Sequence, residues 1–149
     1  MKSLFNETAY SEILERLEKI DTNTAREWGK MDAAQMMRHC QFPLKALLTT
    51  EELKRPNFVM RLVMKSFKAS MYNDKPWRKG LPTPPSFRVE DKRDLQEEKT
   101  ALKSLIDAVH QEKSRTSWKP HPAFGSFTRD QWGQMQYKHL DHHLKQFGV

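Results

Sequence analysis

Apolar residues recur every three or four positions in four long segments of this 149-residue chain, and this periodicity limits the fold more than any other feature. The pattern predicts amphipathic helices, including a first one over residues 7–20 and a third long one over residues 91–111. No segment alternates apolar and polar residues for long enough to build a sheet. The sequence therefore predicts an all-α protein.

Two capping boxes mark where the other two long helices begin. Asp32 is followed three positions later by Gln35, and Thr128 is followed by Gln131. In such a pair, each side chain accepts a hydrogen bond from the backbone N–H of the other residue and so closes the first turn. We predict a second helix from Asp32 towards Thr50, and a last helix from Thr128 almost to the C-terminus.

The connection between the second and third long helices is predicted to be long and largely irregular. A shorter helix is expected within it, from Arg55 to Tyr72 with its start near Asn57. The stretch NDKPWRKGLPTPPSF follows, and its four prolines and one glycine disfavour regular structure. The length suits a single domain, 1–149. The predicted architecture is a four-helix bundle whose helix 2 to helix 3 crossover carries a short extra helix.

The net charge of +7 is concentrated in one segment of the chain. Eight lysines and arginines lie between Lys54 and Lys79, where Asp74 is the one acidic residue. A single basic patch on an otherwise neutral chain favours a local docking surface or an anionic ligand. The chain also lacks helix-turn-helix, zinc-finger and aromatic-basic RNA patterns. We therefore expect no nucleic-acid partner.

The shorter helix within this basic segment has an apolar side that includes Val59, Val63 and Phe67. The favoured interpretation is that this side covers the end of the core while the lysines stay in water. The alternatives are an interfacial membrane helix, or a surface that guides an anionic thiol or an acidic partner to a site.

The sequence also predicts a cellular location. No apolar run approaches the roughly 18 residues that a membrane-spanning helix needs, so no stable membrane insertion is expected. The first 20 residues lack the uninterrupted apolar stretch of a secretory signal. Cys40 is the single cysteine and cannot form an internal disulfide, which agrees with a reducing compartment. The expected location is the cytoplasm.

Three histidines are candidate metal ligands because helical geometry turns them towards the predicted core. His139 and His143 lie one turn apart on the apolar arc of the last helix, with Cβ atoms about 5–6 Å apart. His39 lies beside the apolar stripe of the second helix. One buried histidine is more often satisfied by a hydrogen bond, but three buried together need several partners, which a divalent ion would supply. His142 lies at the rim of the arc.

Several motifs together resemble the DinB superfamily of small metalloproteins, and more closely a bacterial branch of largely unassigned function. These motifs are WGKMDAAQMMRHC, LPTPPSF, HPAFGSFTRDQWG and YKHLDHHLKQFGV. The resemblance implies a four-helix bundle of DinB type. It further implies that His39, His139 and His143 bind a divalent metal ion, zinc or nickel, and the family pattern does not require His142. Some DinB-like relatives are thiol S-transferases, so the resemblance also implies transfer of a low-molecular-weight thiol to a small electrophile.

The sequence says less about the reaction than about the metal ligands. Three neutral imidazoles would leave one position of a tetrahedral zinc open to water or a thiol. A zinc peptidase is disfavoured, because Leu140 stands where a glutamate base would follow the first histidine, and Asp141 faces the other side of the helix. No catalytic residue is assigned. The competing hypothesis is a non-catalytic module that a metal ion stabilises. Such a module would bind a partner or form a homodimer.

Two further features of the sequence bear on the site. Cys40 follows His39 directly, but helical neighbours diverge by about 100°, so we interpret Cys40 as a core residue rather than a fourth ligand or nucleophile. Trp77 and Trp118 lie on predicted loops and are candidates to line a pocket mouth.

Overall fold

The computed structural model describes residues 1–48, 56–81 and 83–149, and five α-helices account for most of these ranges. They are α1 (Glu7–Glu18), α2 (Ala33–Leu48), α3 (Phe58–Phe67), α4 (Leu95–Gln111) and α5 (Arg129–Gln146). Short 3₁₀ helices span Lys68–Met71, Pro85–Phe87 and Glu112–Ser114. The described ranges contain no β-strand, only an isolated bridge between His121 and Gly125. The all-α prediction is confirmed.

Four of these helices, α1, α2, α4 and α5, surround one hydrophobic core. Both α1 and α2 pack against both α4 and α5. Each helix contributes side chains that are at most 2% exposed, for example Ile13, Leu44, Ile106 and Leu144. Burying an aliphatic side chain of this size contributes about 1.5–3 kcal/mol. The apolar stripes of the sequence are thus what holds these helices together.

Both predicted capping boxes are confirmed. Asp32 Oδ1 accepts from the Gln35 N–H at 2.8 Å, and Gln35 Oε1 accepts from the Asp32 N–H at 3.0 Å. The reciprocal pair of Thr128 and Gln131 opens α5 in the same way. These bonds satisfy backbone donors that the first turn of a helix leaves without partners. They set the starting points of the two helices that carry the candidate ligands.

Some predicted helix boundaries are wrong by several residues. The helix predicted from residue 91 begins at Leu95, because Asp94 is extended and its carboxylate accepts the Glu97 N–H at 2.9 Å. The first helix ends at Glu18 rather than at residue 20. There, the Lys99 ammonium donates to the Ile20 carbonyl at 2.7 Å and satisfies a group beyond the helix end. Parts of the predicted crossover, including Thr50, Lys54 and Arg55, lie outside the described residues.

The favoured interpretation of the short helix α3 is wrong. Its start is as predicted, because Asn57 Oδ1 accepts the Met60 N–H at 2.8 Å. However, α3 has no buried residue, and Met64 is the member of α3 that packs partly against the core. Val59, Val63 and Phe67 are instead exposed. The apolar side of α3 therefore does not cover the end of the core.

The described ranges contain no helix that is both long enough and apolar enough to cross a membrane.

A loop before α5 is organised around His121. Its Nδ1 accepts hydrogen bonds from the backbone N–H groups of Ala123 at 3.1 Å and Phe124 at 3.3 Å. Its ring lies 4.9 Å from the Phe124 ring, 6.2 Å from Phe127 and 6.0 Å from Trp132, between centroids. Burial lowers the pKa of His121 from its usual 6.5 to about 4. The folded protein therefore holds this ring in its neutral form.

We expect His121 to make the fold acid-sensitive. An unfolded chain takes up a proton below pH 6.5 that the folded chain resists until about pH 4, so stability falls as the pH falls through this window. Between pH 7 and pH 5 the His121→Asn variant, which keeps an acceptor but does not titrate, should lose about 2 kcal/mol less stability than the wild type. Urea unfolding at the two pH values measures this difference, and equal losses would contradict it.

Candidate metal centre

Helices α2 and α5 bring three histidine side chains together. His39 comes from α2, and His139 and His143 lie one turn apart on α5. One ring nitrogen from each residue lies within 4.8 Å of the other two. The Nε2 atoms of His39 and His139 are 3.2 Å apart. These are the three residues that sequence analysis selected, and we call them the histidine cluster; their role as metal ligands stays a prediction.

The spacing inside the histidine cluster can be compared with that of a tetrahedral zinc site. Zinc-to-nitrogen distances of 2.0–2.1 Å place neighbouring ligand nitrogens about 3.3–3.4 Å apart. The separation of 3.2 Å between the Nε2 atoms of His39 and His139 is close to this value. Because no pair of these nitrogens is more than 4.8 Å apart, shifts of roughly 1 Å would bring all three to ligand spacing.

A backbone carbonyl orients His39. The Nδ1–H group of His39 donates to the carbonyl oxygen of Phe87 at 2.8 Å. A carbonyl can only accept, so the proton of the neutral ring lies on Nδ1 and the lone pair lies on Nε2. Metal-binding histidines commonly use this arrangement, in which one nitrogen donates to a carbonyl and the other binds the ion.

Two consecutive hydrogen bonds orient the His143 ring, and they also place the proton of this ring on Nδ1. The Gln146 Nε2 donates to the Trp28 carbonyl at 2.8 Å, which directs Oε1 of the same amide towards His143. The His143 Nδ1–H group donates to this Oε1 at 2.9 Å. The lone pair of neutral His143 is therefore on Nε2 as well. Two rings of the histidine cluster thus offer the nitrogen that a cation needs.

One ring nitrogen of His139 forms no hydrogen bond with the described residues. Its Nε2 lies against His39, whereas its Nδ1 is buried and has no hydrogen-bond partner among the described residues. Most buried polar groups in proteins have a partner, so an unpaired nitrogen at a functional site calls for an explanation. Nδ1 points away from His39, which faces the other ring nitrogen, so its missing partner does not bear on a cation held between the three rings.

All three rings are neutral at pH 7. Burial lowers the pKa of His39 and His139, and it lowers the pKa of His143 to about 3. Neighbouring imidazoles lower the pKa of His139 and His143 further. A metal ion binds the neutral form of histidine. The cluster is therefore already in the protonation state that a ligand set requires.

Gln146 should tune metal affinity without touching the metal. In Gln146→Leu, His143 Nδ1 loses its acceptor, and we expect zinc affinity to fall by about ten- to a hundredfold, the usual cost of removing such a partner. Gln146→Glu keeps an acceptor for Nδ1–H and should retain more of the affinity. Competition with a chromophoric chelator measures both, and a leucine variant that binds zinc like the wild type would contradict the role.

Aromatic rings border one side of the histidine cluster. The Trp77 ring lies 6.0 Å from His139 and 5.6 Å from His142, between centroids. The centroid of the Trp28 ring lies 5.9 Å from that of His142. The Lys79 ammonium lies over the Trp28 ring, 4.3 Å from its centroid. The Lys138 ammonium lies 5.5 Å from the Trp77 ring centroid, so this rim offers apolar surface and cations beside the cluster.

The two loop tryptophans singled out in the sequence have different positions. Trp77 borders the site, as described above. Trp118 instead packs against Phe5 and Trp132, with ring centroids 6.0 Å and 6.2 Å away. It belongs to the packing around the core and does not line the site.

Three nearby polar residues lie outside the histidine cluster. His142 is partly buried, and its ring centroid is 5.2 Å from that of His143. Cys40 is buried in the core, as the sequence predicted, and burial raises the pKa of its thiol. Asp141 accepts from the Arg16 guanidinium at 2.8 Å. Cys40 and Asp141 are therefore engaged elsewhere.

The groups that orient the rings were not predicted from the sequence. These are the Phe87 carbonyl, the Gln146 amide and the Trp28 carbonyl. Gln146 had a detectable signal, because it follows His143 by three residues and so lies on the same face of the helix. The two carbonyls had none, since every residue carries one.

Comparison with known proteins gives a family and no function. No curated protein and no solved structure matches the chain. The model of DUF1569, described as a protein of unknown function, matches residues 2–148. The assignment to the DinB superfamily made from sequence motifs is wrong, because the match is to DUF1569 rather than to a DinB family. What that resemblance implied about ligands and activity loses its support. The chain belongs to the DUF1569 family.

Proposed function

We propose that this protein binds a divalent metal ion, zinc or nickel, through His39, His139 and His143. One observation carries the proposal: a ring nitrogen from each histidine lies within 4.8 Å of the other two. The lone pairs of two of these rings are assigned to Nε2 by hydrogen bonds at the opposite nitrogen. Three imidazoles without a carboxylate favour a borderline-soft ion over magnesium or calcium.

The proposed scaffold is a four-helix bundle of α1, α2, α4 and α5 within a single cytoplasmic domain. In it the ligands come from α2 and α5, which pack against each other. Helices hold a ligand set more reproducibly than loops do, because core packing restricts their side-chain rotamers.

The proposed activity is metal-dependent transfer of a low-molecular-weight thiol to a small electrophile. When bound, the ion would supply an open coordination position and lower the pKa of a thiol there. The thiol would release its proton to water, and its sulfur would form a bond to carbon as the leaving group departs from that carbon with the bonding electron pair. Trp77 would hold the apolar part of the electrophile and exclude water, since its ring borders the cluster at His139.

Cobalt substitution tests this activity. We expect protein purified without a histidine tag and loaded with Co²⁺ to change its absorption spectrum when a low-molecular-weight thiol is added, because a thiolate would enter the open position. The His142→Ala variant, which leaves the proposed ligands in place, should respond in the same way. A spectrum that thiols do not change would exclude the transferase proposal, whereas metal binding would stand.

The second candidate is a non-catalytic, metal-stabilised binding or dimerisation module. The exposed apolar side of α3 favours the binding form of this candidate, because such a surface is typical of an interaction site. The same cobalt experiment separates the candidates, since a closed or inert site would bind the ion but would not exchange a ligand with thiol.

A further inference from the structure

Helix α3 presents large apolar side chains to solvent. Six of them are between 45% and 78% exposed: Phe58, Val59, Met60, Leu62, Val63 and Phe67. We call this set the outer face of α3. At about 100° per residue it covers about 200° of the helix circumference. Helices of soluble proteins normally turn such a stripe towards the core, so an exposed one of this width indicates an interaction surface.

The helix is attached to the body of the protein at its C-terminal end. Met64 packs partly against the core, and the 3₁₀ helix Lys68–Met71 follows directly. Lys138 of α5 donates to the Ser70 carbonyl at 2.7 Å, and Lys68 donates to the Ser126 carbonyl. These contacts hold α3 with its outer face directed away from the core. The surface is therefore convex, not a groove.

The charges beside the outer face are positive. Lys65 is exposed, and Lys65 and Arg61 lie next to Phe58 and Leu62 on the helical wheel. Asp74, the one acid between residues 54 and 79, pairs with the N-terminal ammonium at 3.6 Å. Among the described residues, no carboxylate forms an ion pair with Lys65 or Arg61. The exposed Lys65 is available to an anionic partner, whereas Arg61 is partly buried.

We infer that the outer face of α3 docks on an anionic phospholipid surface. The apolar side chains would enter the boundary between headgroups and acyl chains, and Lys65 would remain at the level of the lipid phosphates. A fluid lipid surface accepts a convex apolar helix, whereas a protein partner would need a complementary groove. A second copy of this chain is disfavoured, because it would bring an equally basic segment against this one.

Vesicle flotation of the full chain tests the apolar part of the inference. We expect binding to phosphatidylcholine vesicles that contain about one third phosphatidylglycerol, and much weaker binding to phosphatidylcholine alone. The double variant Phe58→Ser and Leu62→Ser should bind the anionic vesicles at least about tenfold less. The matched control is Leu81→Ser, which removes a leucine that is 48% exposed but lies outside α3, and it should bind like the wild type.

A charge reversal tests the electrostatic part. Lys65→Glu should weaken binding to the anionic vesicles by at least about fivefold. Lys92→Glu changes the net charge equally at an exposed position just before α4 and should have little effect. Wild-type protein that ignores anionic vesicles, or binds neutral ones equally well, would overturn the inference. So would concentration-dependent dimerisation that the Phe58→Ser and Leu62→Ser variant abolishes, because a second copy would then occupy this face.

Discussion

Zinc affinity is expected to fall by more than about a hundredfold when His39, His139 or His143 is changed to alanine. Loss of a group that only orients a ligand costs ten- to a hundredfold, so loss of the ligand itself should exceed that range. The measurement is competition with a chromophoric chelator, together with the metal content of protein purified without a histidine tag. The expected rank places each single variant far below the wild type and the triple variant at background.

The matched control for these substitutions is His142→Ala. It removes one imidazole from the same helix, at a partly buried position outside the histidine cluster, and should leave zinc affinity nearly unchanged. Zinc at a hundred times its dissociation constant should also stabilise the wild type by about 2.7 kcal/mol and leave the triple variant unaffected. If wild type and triple variant hold equally little metal, the metal-binding proposal is wrong.

Truncation of Ile106 to alanine is expected to cost about 4 kcal/mol of unfolding free energy. Ile106 is fully buried on α4, the helix against which α2 packs, and deletion of its methyl groups leaves a cavity that rigid neighbours fill only in part. Urea unfolding followed by far-ultraviolet circular dichroism measures the loss. For a marginally stable chain, this is a large fraction of the total.

Ser104→Ala is the control on the same helix. Ser104 is exposed, so its replacement should change stability by less than about 0.5 kcal/mol. In Ile106→Ala, release of bound metal should coincide with loss of helix, because α2 depends on α4 for its position. Equal stability of the two variants, or metal release well before helix loss, would contradict a single core shared by the site and the scaffold.

The proposed thiol transfer has less support than the proposed metal site. Thiol transfer was first an implication of the DinB resemblance, and membership of DUF1569 removes that ground. The metal proposal is less affected, because it rests on ring positions and hydrogen bonds of this chain. The cobalt experiment therefore bears on the activity, and the alanine variants bear on the metal.

Helix starts could be read from the sequence wherever a side chain and its backbone partner lie within one turn. The pairs Asp32 with Gln35 and Thr128 with Gln131 are of this kind, and both predictions are confirmed. The predicted start of α4 at residue 91 was wrong, because Asp94 is extended and its carboxylate accepts the Glu97 N–H at the first turn.

By itself, the sequence determined that this protein is all-α and that His139 and His143 share one face of a helix, because both follow from interactions within a turn or two. Only the tertiary structure decided how the site is oriented and where α3 lies. Phe87 is 48 positions from His39, and Trp28 is 118 positions from Gln146. An apolar stripe such as that of α3 predicts that these side chains prefer an apolar environment. Whether they are buried in the core of the protein depends on how the whole chain packs.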